Sequence, residues 1–100
     1  MRVIAKRTLR EFWEKHPDAE GPLEAWHAEA RAALWANPAQ VKARFPSADV
    51  IRDNRMVFNI GGNKYRLVVH FNYEFQIAYV KFVGTHADYN KIDVETVRWH

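Results

Sequence analysis

The sequence predicts an α+β domain in which two N-terminal helices pack on an antiparallel sheet. Three observations predict it. Apolar residues recur at helical spacing through the first third of the chain, the period changes to alternation after Pro46, and two turn signals divide the alternating stretch into three strands. With 100 residues, 48% hydrophobic and 14% aromatic, one domain spanning residues 1–100 can bury a single core, and global disorder is excluded.

Val3 and Ile4 suggest a short edge strand. Thr8 and Glu11 have capping-box spacing, in which side chains satisfy the free amides of a helix start. Leu9, Phe12, Trp13 and His16 then mark one helical face, ended by Pro17. Gly21-Pro22 is expected to open a second helix, with Leu23, Trp26, His27, Ala30, Ala33 and Leu34 inward and Asn37-Pro38 as its stop. A short helical turn is expected over Val41 to Phe45. Beyond Pro46, Met56, Phe58 and Ile60 alternate with Arg55, Val57 and Asn59. Gly61-Gly62-Asn63 is a hairpin turn, since such turns need the positive φ that glycine tolerates. Tyr65, Leu67, Val69 and Phe71 then alternate with Lys64, Arg66, Val68 and His70. Asn72-Tyr73-Glu74 is a second turn, Phe75 to Val83 a third strand closed by Gly84, and Thr85 to Asp88 a cap for a last helical turn carrying Tyr89.

Composition narrows the chemistry. There is no cysteine, so disulfides, thiolate metal sites and a cysteine nucleophile are excluded. Five histidines, at 16, 27, 70, 86 and 100, lack paired ligand spacing, so neither a metal nor any other cofactor is expected. Gly61-Gly62 lies between strands, so it is neither a Walker loop nor a dinucleotide fingerprint. No apolar run is long enough to span a membrane, and the first ten residues lack the apolar stretch of a secretory signal, so a cytoplasmic location is expected. The formal net charge is +3. Between Asn54 and Ala87 four cations, Arg55, Lys64, Arg66 and Lys81, face one acid, Glu74, so the sheet is expected to carry a basic face that suits a polyanion.

Lys64 and Arg66, two residues apart on a strand, are expected to leave the sheet on the same side, with Arg55 beside them on the preceding strand. The plain alternative is a solvated face of ordinary charges. Lys81 interrupts the apolar series Phe75, Ile77, Tyr79; snorkelling at a strand end is its plain alternative. A helical turn brings His86 beside Tyr89, a pair able to move protons or bind a phosphate, against the alternative of a capping segment. His16 and His27 lie on helix inner faces and are read as core partners.

Two segments carry a resemblance. Val57-Phe-Asn-Ile-Gly-Gly-Asn-Lys-Tyr-Arg-Leu67 and Tyr79-Val-Lys-Phe-Val-Gly-Thr-His-Ala-Asp-Tyr-Asn-Lys-Ile-Asp93 resemble the HigB branch of the RelE-like toxins, as do Thr8-Leu-Arg-Glu-Phe-Trp13 and Leu23-Glu-Ala-Trp-His27. Together they cover nearly the whole chain. The resemblance implies a RelE-like fold with a curled antiparallel sheet, metal-independent cleavage of mRNA in the ribosomal A site, and a helix-turn-helix, HigA-like antitoxin as partner. Where family members often carry arginine this chain has Lys81, which lacks the bidentate phosphate contact, and Asn90 stands where an acid is common.

The expected function is therefore a ribosome-dependent mRNA endoribonuclease, the toxin of a type II toxin–antitoxin module. Lys64, Arg66 and Lys81 are expected to stabilise phosphate charge, His86 and Tyr89 to transfer protons, and Arg55, Asn63, Lys64 and Arg66 to bind RNA. The alternative is a non-catalytic RNA- or protein-binding module using the same face.

Overall fold

The structure, a computed structural model, describes residues 1–98; His100 lies outside the described residues. Strand β1 (Arg2–Ile4) leads directly into helix α1 (Lys6–Lys15). The helix starts earlier than Thr8: its N-cap is Ala5, which makes no side-chain cap bond. The Thr8 amide donates to the Ala5 carbonyl at 3.2 Å, and Glu11 pairs with Arg7 at 3.1 Å. The expected capping box is therefore absent, because the chain turns into the helix as soon as β1 ends. The predicted face holds, with Leu9, Phe12 and Trp13 buried.

A single 3-10 turn (Pro17–Ala19) joins α1 to α2 (Glu20–Ala32). Pro22 sits in the first turn of α2, where backbone amides have no helical partner to lose. Leu23, Trp26 and Ala30 form the buried stripe, but the helix stops before the stretch expected to carry it to Asn37. Ala33 is already extended, so Leu34 points outward, 86% exposed, and Trp35 is buried in its place. Its ring meets Phe45 and Phe71 edge-on at 6.1 and 5.9 Å. Asn37-Pro38 opens α3 (Pro38–Arg44), with the Asn37 side chain accepting from the Gln40 amide at 3.0 Å.

The sheet comprises β1, β2 (Asp49–Ile51), β3 (Arg55–Ile60), β4 (Tyr65–Asn72) and β5 (Ile77–Thr85), in the order β1-β5-β4-β3-β2. The β2–β3, β3–β4 and β4–β5 pairs are antiparallel, whereas β1 joins β5 in parallel. The sheet is thus mixed rather than wholly antiparallel: the intervening helices supply the long crossover a parallel pair requires. Gly61 and Gly62 both take positive φ in the β3–β4 hairpin, as that turn demands. Phe75 belongs to the β4–β5 turn and is 67% exposed, so β5 begins two residues later than expected and continues through Gly84 to Thr85.

One sheet face, with Met56, Phe58, Leu67, Val69, Phe71, Ala78, Val80 and Val83, meets Leu9, Leu23 and Trp26 in the main core. A β-bulge shapes β5: Val68 pairs with Phe82 but Val69 with Val80, which leaves Lys81 as the extra residue. Because the bulge resets the alternation, Val80 and Val83 both face the helices while Phe82 turns to the other side. There Phe82, Val57 and Val68 form a second buried cluster, covered by Tyr89, Ile92, Val94 and Val97. The outer face is therefore partly apolar and capped by the C-terminal segment, not the open polar surface expected. Short helix α4 (His86–Tyr89) begins with the predicted capping box between Thr85 and Asp88.

Candidate nucleic-acid interface

Strand register lays out the outer face in three rows across β3, β4 and β5. At the β3–β4 hairpin end lie Asn59, Arg66 and Gly84; the middle row is Val57, Val68 and Phe82; at the far end are Arg55, His70 and Tyr79. Four residues separate Arg66 from His70 along β4, about 13 Å at strand rise. The middle row lies under the C-terminal segment. The single basic face expected from the sequence is thus two basic areas divided by an apolar strip.

The hairpin end holds Arg66, half-buried, with Nη1 donating to the carbonyls of Asn63 and Tyr65 at 3.1 and 3.2 Å. These bonds fix the guanidinium without neutralising it. Register sets Tyr65 opposite Thr85 and Arg66 opposite Gly84, and the His86 amide donates to the Lys64 carbonyl at 3.2 Å. His86 is consequently fastened to the same strand end as Arg66. Its exposed ring meets Asn90, with Nδ1 and Nδ2 3.3 Å apart. Either end of the Asn90 amide can serve that contact, and Nε2, which makes no hydrogen bond among the described residues, is left available to a ligand. Tyr89 packs on the second cluster. Its phenol pKa is pushed up, first by burial and then by Asp49, with Arg66 opposing; the hydroxyl is therefore within electrostatic reach of Arg66 and stays protonated at neutral pH. Asn63 is exposed in the turn and presents its carbonyl to Arg66.

Gly84 makes this packing possible. A Cβ built on it would meet the Phe82 ring at 2.5 Å and the Asp88 Cβ at 3.2 Å. The absent side chain admits both Phe82 and the start of α4.

Three candidate residues, Lys64, Arg55 and Lys81, are placed differently from expectation. Lys64 is not an unpaired cation beside Arg66: its Nζ lies 2.7 Å from Asp18 Oδ2, and the Tyr65 hydroxyl also donates to Asp18. Hydrogen bonding lowers the Asp18 pKa and raises those of Lys64 and Tyr65. Lys64 precedes β4, so the strand's alternation does not bind it to the outer face. Arg55 is on the predicted face but buried, 8% exposed. Its Nη1 donates to the carbonyls of Val94 and Val97 at 3.1 and 2.7 Å, so it fastens the C-terminal segment rather than standing open to RNA.

Lys81 belongs to the far end. Its Nζ sits 5.3 Å from the centre of the Tyr79 ring. Of the two histidines read as core partners, His16 is the C-cap of α1 and stacks on Phe12 at 4.4 Å, and His27 is half-buried, with its pKa lowered by burial, in the wall of a cleft shared with Lys6, Glu24 and Arg31. One residue of the hairpin end escaped sequence reasoning, Asp18, which has no local signal; Asn90, noted only as a departure from the family pattern, lies four residues after His86 at the helical spacing that brings the two side chains together. Among the described residues no group of three or more His, Asp or Glu side chains is placed to hold a metal ion, and no helix is long and apolar enough to cross a membrane.

A helix-backed mixed sheet that fixes an arginine and a histidine on one strand end defines a small α+β domain equipped to meet an anion. Residues 19–92 match the family described as the RelE-like toxic component of a toxin-antitoxin system, and the chain belongs to this HigB toxin family. It is 34% identical over 92 residues to the mRNA interferase toxin HigB of Escherichia coli (strain K12), covering 90% of this chain and 88% of that protein. The mRNA interferase HigB of Shigella flexneri matches with the same identity and coverage. A further mRNA interferase HigB, from Escherichia coli O6:H1 (strain CFT073), is 26% identical over 94 residues, 92% of this chain and 91% of that protein.

Proposed function

We propose that this chain is the mRNA-cleaving toxin of a toxin–antitoxin module, with its reaction centre at the β3–β4 hairpin end. The observation that carries this reading is the joining of Arg66 and His86 on one strand end by the Tyr65–Thr85 register and the His86–Lys64 backbone bond. Family membership supplies the toxin role and the message as target.

The reaction that fits these groups uses the substrate's own 2′-hydroxyl. Its oxygen bonds to the adjacent phosphorus as the P–O5′ bond breaks, leaving a 2′,3′-cyclic phosphate and a free 5′-hydroxyl. One proton must leave the 2′-oxygen and one must reach the 5′-oxygen. In this reading His86, through Nε2, takes one transfer, and the protonated Tyr89 phenol is the donor for the other. Arg66 offers N–H groups to the non-bridging oxygens, whose charge grows in the transition state. Lys64 contributes its field from the Asp18 pair, and Asn63 lines the turn.

This reading puts the enzyme at the ribosome in the cytoplasm, with a helix-turn-helix, HigA-like antitoxin to neutralise it. Induced expression followed by mapping of mRNA 5′ ends tests it. Cleaved messages with the wild type and their loss with Arg66→Ala are expected; growth arrest without new ends would replace catalysis by simple binding. Co-expression of the adjacent antitoxin gene is expected to restore growth.

A further inference from the structure

The far end of the outer face gathers positive charge that the hairpin-end reaction does not use. Arg55 pairs with His70 across β3–β4, and His70 with Tyr79 across β4–β5. The His70 and Tyr79 rings lie 6.3 Å apart at 31°. The bulge pushes Lys81 out of the ladder on this side, over the Tyr79 ring. Arg55, by holding the carbonyls of Val94 and Val97, brings Arg98 to the same place. A cleft of about 500 Å³ opens beside Arg55, His70 and Arg98, its wall completed by Asn54 and Thr96; Tyr79 and Lys81 stand at its outer side, where they line the neighbouring cleft toward Ile4 and Arg7. Two acids border it. Glu95 is engaged by Arg52 at 3.7 Å, and Asp53 acts on His70 in the sense opposite to the cations.

The cations repel one another. Burial lowers the Lys81 pKa, and Arg55 and Arg98 lower it further; burial, Arg55 and Lys81 do the same to His70. Like charges held together this way gain most from an anion that joins them. A half-buried aromatic ring beside cations, as Tyr79 is, also suits a nucleobase next to its phosphate.

We infer that Lys81, His70 and Arg98 form a second phosphate subsite, with the Tyr79 ring as stacking surface for the adjoining base. A single-stranded RNA bound there reaches Arg66 across the apolar strip, a distance of a few nucleotides. The subsite rests on the reading of RNA as substrate. It gives the bulge a purpose: Lys81 is the residue that the bulge delivers to this face.

The test is binding of a short single-stranded RNA with every 2′-hydroxyl replaced by methoxy, which prevents cleavage, followed by fluorescence anisotropy across a salt series. Lys81→Gln is expected to weaken binding and to flatten the log–log salt slope by about 0.7, the value of one single-strand phosphate contact. Lys81→Arg should keep the slope, and Lys15→Gln, which removes the same charge from α1, should leave it unchanged. Tyr79→Leu should weaken binding at constant slope. The His70 ring resonances should shift with this RNA and with inorganic phosphate alone. A slope unaltered in a folded Lys81→Gln protein, or a His70 shift with inorganic phosphate but not with RNA, would overturn the subsite. Lys81-dependent binding by a protein that cleaves no message would uphold the subsite and remove the nuclease reading.

Discussion

Lys64 Nζ and Asp18 Oδ2 lie 2.7 Å apart, across 46 positions of sequence, and tie the α1–α2 connection to the β3–β4 hairpin. The same carboxylate accepts the Tyr65 hydroxyl, and the Lys64 carbonyl holds the amide of His86. One exposed acid thus steadies the strand end on which the proposed reaction depends.

Replacing Asp18 by Asn should lower the melting temperature slightly at neutral pH. The Asp18 carboxyl titrates below its ordinary 3.8 in the folded chain. Its contribution is therefore complete above 3.8 and is lost as pH falls through the lower folded value. The Lys64 and Tyr65 pKa values are raised, so their share fades only at alkaline pH. Melting curves should separate the two proteins between these limits and converge in acid.

Gly84→Ala should destabilise the domain by about 1–3 kcal/mol, because the new methyl collides with the Phe82 ring. A smaller side chain at 82 removes the collision, so the double variant Gly84→Ala, Phe82→Leu should be less destabilised than the sum of the single changes. Urea unfolding of the four proteins measures the coupling.

Arg55→Ala should free the C-terminal segment. It removes two charge-assisted bonds to carbonyls, and a loss of roughly 1.5–3 kcal/mol is expected for each such bond to a charged group. Amide hydrogen exchange should accelerate in residues 90–98 while β4 stays protected.

The main architecture was legible because its signals are local. Leu9, Phe12 and Trp13 repeat at helical spacing, Tyr65 to Phe71 alternate, and Thr85-His-Ala-Asp88 carries its own cap. What was hidden depends on tertiary contact. The parallel pairing of β1 has no sequence signature, and the Asp18–Lys64 pair joins residues far apart in the chain. The bulge was visible only as an oddity, a lysine in an apolar series, and its consequence, Phe82 reversing face, needed the β4 register. The alternation of β4 sets Val68 among polar neighbours, and nothing in that strand reveals that Ile92, Val94 and Val97 fold back over it. At the site, strand pattern and motif point to Arg66 and His86, whereas the burial of Arg55 leaves no trace in the sequence because its partners are backbone carbonyls.

His27 should make the fold acid-sensitive. Burial lowers its pKa below 6.5, helped by Lys6 and Arg31. The folded state disfavours the imidazolium, so stability is full above 6.5 and declines as pH drops through the lower folded value. His27→Gln should reduce the melting temperature at neutral pH yet flatten its fall in acid, with cleavage by the folded fraction unchanged.

Arg66 and His86 are proposed to carry the reaction from one strand end. The most direct measurement is the cleavage rate of a message in a reconstituted translation reaction, with the cut ends analysed chemically. The wild type should leave 2′,3′-cyclic phosphate ends. Arg66→Ala should cut about 10²–10³-fold more slowly and His86→Gln about 10²–10⁴-fold, both with wild-type circular dichroism. Cleavage by both folded variants at the wild-type rate would remove Arg66 and His86 from the reaction.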